Sequence, residues 1–209
     1  NIPILKEKGI RPETLEFFGA GYCSYGFMKN RVVVPVYDSR KFGEDDKNIL
    51  VYAGYSITKE QKEYGDWKFP DGFPKGNELF NLNRAIENKE KIKDEGLILV
   101  EGFWSVLKLH QAGIENTVAV MTNSMTKEQE SLLLNVTYKI SVWFDFDKEG
   151  QEGLKNILRS PEHEGKNGLM YKAYIKVINP VLKLDMGGKT KPYQFSEEEI
   201  KKIFKTYLC

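Results

Sequence analysis

The second half of the chain alternates between short apolar runs and segments with apolar residues at helical spacing. Strand-like runs occupy 97–100, 117–121 and 140–144, with a last one within 172–178. Helix-like segments occupy 103–111, a stretch from Thr126, a stretch ending near Arg159, and a stretch from Ser196. Repeated strand–helix alternation predicts an α/β fold: a mainly parallel sheet with helices on both faces. In such sheets, ligands bind beyond the carboxyl ends of the strands.

The first half follows a different pattern. β-Branched and aromatic residues at 31–37 and 49–55 predict two strands joined by a polar connection. From 61 to 83 the periodicity fades into glycine, proline and aromatic residues, which is typical of a long functional loop. A charged segment then predicts a solvated connector. We therefore expect a smaller α+β part at 1–94 and the parallel-sheet domain at 95–209.

Composition excludes several classes of protein. Of 209 residues, 41% are hydrophobic and 29% charged, and no apolar run approaches the roughly 18 residues of a membrane span. A net charge of +1 excludes a protein that is basic all over, so a nucleic-acid partner requires a local concentration of basic groups. Because the chain opens at Asn1 without a signal-like segment, we expect a fragment of a longer protein.

Cysteine and histidine are scarce. The two cysteines and two histidines show no metal-binding spacing, which argues against a disulfide framework, a structural zinc site and a Ser-His-Asp device. This usage favours a reducing, cytoplasmic compartment. Any metal ion is then expected to be a hard cation held by carboxylates.

Three acidic residues follow predicted strands directly. Glu101 comes after the run 97–100, and Asp145 and Asp147 come after the run 140–144. The i, i+2 spacing of the two aspartates directs both carboxylates to one side of an extended segment. Three carboxylates on one rim repel one another unless a cation neutralises them, and oxygen ligands favour Mg²⁺ or Mn²⁺.

A structural alternative stays open for the same residues. Acids in the first turn after a strand often cap the following helix and interact favourably with its dipole. From physical chemistry alone, capping and metal binding are about equally good interpretations of Glu101, Asp145 and Asp147.

Several ordered motifs resemble one known family. The clearest are Val100-Glu101-Gly102-Phe103 and the Phe-Asp-Phe-Asp-Lys-Glu-Gly-Gln run at 144–151. Further similar segments lie at 4–22, 31–36, 75–85 and 107–114. Together they resemble the TOPRIM catalytic core of bacterial-type DNA primases and phage primase-helicases, whose fold is Rossmann-like.

The resemblance implies a function and a set of site residues. The function is synthesis of short RNA primers on single-stranded DNA from nucleoside triphosphates, beside a replicative helicase that is fused or separate. Glu101, Asp145 and Asp147 would be catalytic and hold magnesium or manganese in a two-metal mechanism, which activates a 3′-hydroxyl and neutralises the triphosphate. The part at 1–94 would face the nucleic acid, and its basic side chains would line the groove for template or nucleotide: Lys29, Arg31, Lys68, Lys75 and Arg84. Aromatic side chains positioned to stack on bases are Trp67, Phe69 and Phe73.

Two departures from the family pattern keep alternatives open. Ser105 stands where these primases carry a further aspartate, and Thr190-Lys191-Pro192-Tyr193 replaces an acidic Asp-Pro-Asp-like stretch. Fewer acids imply fewer bound metal ions or weaker binding. The alternatives to a primase are a TOPRIM metal-dependent nuclease and a TOPRIM-derived nucleic-acid-binding module whose catalysis has lapsed.

Overall fold

The computed structural model describes residues 3–41, 48–122, 124–158, 168–180 and 187–208. Within these ranges the chain forms two four-stranded sheets, one antiparallel and one parallel. The predicted end of a helix near Arg159 lies outside the described residues.

The antiparallel sheet belongs to the first half of the chain. Its strands, in spatial and chain order, are β1 (Gly21–Cys23), β2 (Arg31–Tyr37), β3 (Ile49–Ser56) and β4 (Trp67–Lys68). The two long strands were predicted, and Val34 pairs with Ala53 in their register. The short outer strands β1 and β4 were not predicted, because three and two residues are too few for a periodicity to be recognised.

The parallel sheet belongs to the second half. Its strands are β5 (Leu97–Val100), β6 (Thr117–Ala119), β7 (Lys139–Val142) and β8 (Tyr174–Val177), in the spatial order β6-β5-β7-β8. Every neighbouring pair in it is parallel. The predicted fold class, an α/β domain preceded by an α+β part, is confirmed.

Nine α-helices connect and cover the sheets within the described part of the chain. In the first half they are α1 (Pro3–Glu7), α2 (Pro12–Phe17), α3 (Lys59–Lys62), α4 (Leu82–Ala85) and α5 (Lys89–Glu95). In the second half they are α6 (Phe103–Gln111), α7 (Lys127–Val136), α8 (Lys148–Leu158) and α9 (Glu197–Leu208). Short 3₁₀ helices lie at Lys75–Asn77, Leu169–Tyr171 and Pro192–Gln194. A capping box between Thr126 and Gln129 begins α7, as the sequence predicts.

Alternate residues of β5 enter two hydrophobic cores, because successive side chains of a strand point to opposite faces. Leu97 and Leu99 share one core with Leu133 of α7. Ile98 and Val100 share the other core with residues of α6, α9 and the antiparallel sheet. With both faces of the parallel sheet covered, its carboxyl edge is left open toward the first half of the chain. The boundary at residue 94 stays a prediction.

None of the helices within the described ranges has both the length and the apolar character that a membrane crossing requires.

Candidate acidic site at the carboxyl edge of the parallel sheet

A cavity of about 500 Å³ opens at the carboxyl ends of β5 and β7. Its wall includes the predicted acids Glu101 and Asp145, together with Lys191 from the segment before α9. Tyr55 and Trp67 of the antiparallel sheet also line it. The cavity therefore lies where the two halves meet, at the edge to which parallel-sheet topology directs ligands.

Glu101 is held by backbone contacts at the end of β5. Its carbonyl oxygen accepts a hydrogen bond from the backbone N–H of Met121 at 3.0 Å. Its side-chain Oε2 is buried and has no hydrogen-bond partner among the described residues. Burial, and then the nearby carboxylate of Asp145, raise the pKa of Glu101 to about 7. An unpartnered buried carboxylate oxygen is costly, so this group is poised to take a proton or a cation.

Asp145 follows β7 and is 6% exposed. Burial raises the pKa of its carboxyl, although the hydrogen bond from Lys191 opposes this. The backbone at this point is fixed by close packing: a Cβ on Gly150 would lie 2.4 Å from the carbonyl oxygen of Asp145. Only glycine therefore fits at position 150 without displacing the aspartate.

Asp147 has two roles in the structure. Its Oδ1 accepts a hydrogen bond from the backbone N–H of Gly150 at 2.9 Å, which caps the N-terminus of α8. Its Oδ2 lies 2.9 Å from Nζ of Lys191. Burial alone would raise the pKa of Asp147, but the hydrogen bonds from Gly150 and Lys191 lower it below its ordinary value. The capping interpretation thus describes one oxygen of this residue, and the other oxygen belongs to the acidic site.

Lys191 joins the two aspartates. Its Nζ lies 2.6 Å from Oδ2 of Asp145 as well as 2.9 Å from Asp147. Burial lowers the pKa of this ammonium, but hydrogen bonds to both carboxylates outweigh burial, and the net pKa is raised. Lys191 therefore carries a positive charge at every physiological pH.

These contacts determine which of the acids can hold a metal ion. Among the described residues, no group of three or more acidic, histidine or cysteine side chains is arranged to hold a metal ion. Asp147 instead faces α8 and Lys191. The unpartnered oxygen of Glu101 beside the carboxylate of Asp145 does suit one divalent cation, because carboxylate oxygens are the preferred ligands of Mg²⁺ and Mn²⁺.

The basic residues predicted to line one groove do not lie together in the structure. Lys75 lines the cavity. Lys68, on β4, places its ammonium 3.7 Å from the ring centre of Phe27. Lys29 is exposed in the turn before β2. None of the three lies in an ion pair within the described ranges, and their role in binding phosphate stays a prediction.

The two predicted arginines are buried away from the acids. Arg31 is 8% exposed, and its Nη1 donates to Oγ of Ser56 at 2.6 Å. Arg84 is also 8% exposed and packs on the rings of Phe18 and Tyr37 at 5.0 and 4.9 Å. Neither side chain lines the acidic cavity. Their contacts are those of structural residues, and a role in binding stays a prediction.

The predicted stacking aromatics are divided in a similar way. Trp67 lines the cavity, with its ring centre 4.2 Å from that of Phe103. Phe69 and Phe73 stack on each other at 5.9 Å and pack against the core. Trp67 is thus the member of this set that a base in the cavity would contact.

Several residues of the site were not predicted from the sequence, among them Lys8, Lys191 and Tyr193. Lys8, after α1, donates from Nζ to the hydroxyl of Tyr193 at 3.1 Å, and both side chains line the cavity. Nothing in the pattern around Lys8 marks it. Lys191 did carry a signal, because a lysine stands within a stretch where acids were expected.

Comparisons with known proteins agree with this architecture. Residues 95–171 match the Toprim domain. The DNA primase of Aquifex aeolicus is 36% identical over 164 residues, which are 75% of this chain and 31% of that protein. The chain thus spans about a third of the length of this curated relative.

Solved structures show the same fold. The zinc-binding and RNA polymerase domains of the Aquifex aeolicus primase match with a TM-score of 0.75 at 24% identity, over 98% of this chain and 55% of that one. The RNA polymerase domain of Mycobacterium tuberculosis primase, solved with a DNA duplex bearing a 6-nucleotide overhang, matches with a TM-score of 0.69 at 15% identity, over 97% and 71%. The predicted resemblance to the catalytic core of bacterial primases is confirmed.

Proposed function

We propose, since this chain carries a Toprim domain and the fold of a bacterial primase core, that it is the catalytic core of a DNA primase. The reaction proposed is template-directed transfer of nucleotides from nucleoside triphosphates into short RNA primers on single-stranded DNA. The observation that carries this proposal is the group of acids at the carboxyl edge of the parallel sheet, with Asp145 buried and Glu101 half-buried, in a cavity that residues of the antiparallel sheet also line. A helicase partner and a cytoplasmic location remain predictions.

The acidic residues provide the chemistry of the site. Glu101 and Asp145 would hold a magnesium or manganese ion, with Asp147 fixed beside them at the N-terminus of α8. When bound, the ion would neutralise charge that develops on the triphosphate and favour ionisation of the attacking 3′-hydroxyl. Burial of Asp145 keeps bulk water from competing for these oxygens.

The remaining residues of the cavity bind and orient. Lys75 and Lys8 line the cavity and would offer two ammonium groups to the phosphates of a nucleotide or template. Trp67 offers an aromatic face on which a base can stack. Such contacts to phosphate and ring surfaces read no sequence, which suits an enzyme that must act on many templates.

The test is primer synthesis by the full-length protein that contains this chain. Asp145→Asn combined with Asp147→Asn is expected to reduce incorporation of labelled nucleotides on single-stranded DNA by on the order of a hundredfold or more. The matched control is Asp71→Asn with Asp94→Asn, two exposed aspartates that do not line the cavity. The control protein is expected to retain wild-type activity.

Two results would contradict the proposal. Primer synthesis that survives in the site variant removes the acids from the mechanism. Cleavage of labelled DNA or RNA with magnesium, in the absence of nucleotides, would instead identify the TOPRIM nuclease.

A further inference from the structure

Lys191 occupies the space between the two aspartates of the site. Its Nζ lies within hydrogen-bond distance of Oδ2 of both Asp145 and Asp147. A single charged group that bridges two carboxylates in this way has the position and the charge sign of a bound cation.

The backbone fixes the ammonium in this position. The N–H of Phe146, between the two aspartates, donates to the carbonyl oxygen of Thr190 at 2.6 Å. The backbone N–H groups of Thr190 and Lys191 both donate to Oε1 of Gln194, at 2.8 and 2.9 Å. The backbone that carries Lys191 is therefore hydrogen-bonded to the backbone that carries Asp145 and Asp147. This holds the lysine side chain close to both carboxylates.

Without a bound cation, the negative side chains of the site outnumber the positive ones. Four acids line the cavity, Asp66, Glu101, Asp145 and Glu149, and Asp147 lies beside them, whereas three lysines face these acids: Lys8, Lys75 and Lys191. The chain also has Ser105 and Thr190-Lys191-Pro192-Tyr193 at positions where more acids were expected from the family pattern. Lys191 therefore stands in a stretch where the resemblance predicts acids, and it lines the same cavity as Ser105.

We propose that the ammonium group of Lys191 replaces one of the two divalent ions of a two-metal site, so that this chain binds a single divalent ion at Glu101 and Asp145. This inference rests on the proposed function of the cavity. The lysine would hold Asp145 and Asp147 together at all times, and its charge would weaken the binding of the remaining ion. It acts as a positioning residue for the two aspartates.

The test is the binding of Mn²⁺ to the whole chain, measured by calorimetry and by the electron paramagnetic resonance signal of free Mn²⁺. The wild-type chain is expected to bind one ion. Lys191→Met, which keeps the length of the side chain and removes its charge, is expected to bind Mn²⁺ about tenfold or more tightly, because a like charge near the ion has gone. Lys191→Arg, which keeps the charge, is expected to resemble the wild type.

The matched control is Lys189→Met. Lys189 lies two residues away and pairs with Glu199 on α9, outside the acidic cavity. Its substitution is expected to leave Mn²⁺ affinity unchanged. If Lys191→Met fails to fold, Lys191→Gln provides the same comparison, since it removes the charge but retains a hydrogen-bond donor.

The results separate this inference from the proposed function. Equal Mn²⁺ affinity in the wild type and the uncharged variants overturns the role of Lys191 and leaves the metal-dependent function standing. Two ions bound by the wild type likewise overturn it. Binding by none of these proteins overturns both, whereas one ion in the wild type and tighter binding in the uncharged variants supports both.

Discussion

Two glutamates of this chain, one buried and one half-buried, have different surroundings. Glu78 is 2% exposed, and its oxygens accept hydrogen bonds from Ser39 N–H at 2.8 Å and from Arg40 Nη2 at 2.7 Å. Glu101 is half-buried, its buried Oε2 has no hydrogen-bond partner within the described ranges, and its charged neighbours include Asp145 as well as Lys191. Burial of a carboxylate therefore does not identify a site by itself, whereas burial without compensation does.

The two glutamates differ in whether their negative charge is balanced by neighbouring groups of the chain. Around Glu78 the charge is balanced inside the chain and ties the loop after β2 to the segment before α4. Around Glu101 the balance is incomplete, as is expected at a site proposed to bind a cation. Removing the charge should consequently have opposite effects at the two positions.

The largest effect is expected from displacing the acidic site as a whole. Gly150→Ala places a Cβ 2.4 Å from the carbonyl oxygen of Asp145, so backbone must shift. We expect the free energy of unfolding to fall by about 3 kcal/mol, as in severe overpacking, and primer synthesis to fall with it. Urea unfolding followed by circular dichroism measures the first quantity.

Gly102→Ala is the control for this substitution. Gly102 adjoins Glu101 in the same cavity, but a Cβ there meets no atom within 4 Å. A loss of stability below about 1 kcal/mol is expected. If the two alanine variants are equally stable, the close packing around Asp145 does not hold the site in place.

The parallel sheet was predictable from sequence for a clear reason. Strands buried on both faces are continuous apolar runs, and helices that cover a sheet repeat at 3.6 residues, so each leaves a strong pattern. β5 is an example of such an apolar run, and α6 is an example of such a helix. The short strands β1 and β4 of the antiparallel sheet lack such a pattern, because they are defined by their pairing with β2 and β3 and not by their own residues.

The site was predictable only where topology determines position. Glu101, Asp145 and Asp147 follow parallel strands, so a sequence rule placed them at one edge. Lys8 and Lys191 reach the cavity from segments that are distant in sequence, and their pairing depends on tertiary packing. Arg31 and Arg84 show the reverse case, since the resemblance predicted that they line the groove, but both side chains are buried in the structure.

An intermediate effect is expected at the balanced glutamate. Glu78→Gln removes the negative charge that faces Arg40 and places an amide beside a buried N–H donor. The free energy of unfolding should fall by about 2 kcal/mol, because buried polar groups lose partners. Exposed Glu63 is the control, and Glu63→Gln should change stability by less than about 0.5 kcal/mol. An unchanged stability in Glu78→Gln would show that its ion pair has no net effect on folding.

The smallest effect, and one of opposite sign, is expected at Glu101. In the presence of a chelator at pH 8, Glu101→Gln should raise the free energy of unfolding by about 1 kcal/mol, because a partly buried charge without a partner is removed. Added Mn²⁺ should then stabilise the wild-type chain more than the variant, since binding to the folded state alone shifts unfolding.

The pH dependence of the free energy of unfolding is a further test of whether the charge of Glu101 is compensated. The pKa of Glu101 is about 7 in the folded chain against an ordinary value of 4.5, so between these values the folded state holds a proton that the unfolded state releases. The contribution of Glu101 to stability therefore falls as pH rises from about 4.5 to 7, and is constant above that range. Glu101→Gln should lack this decline in chelator. If the variant is instead less stable than the wild type at pH 8, Glu101 is compensated in the same way as Glu78, and the acidic cavity loses its distinction as a site prepared for a cation.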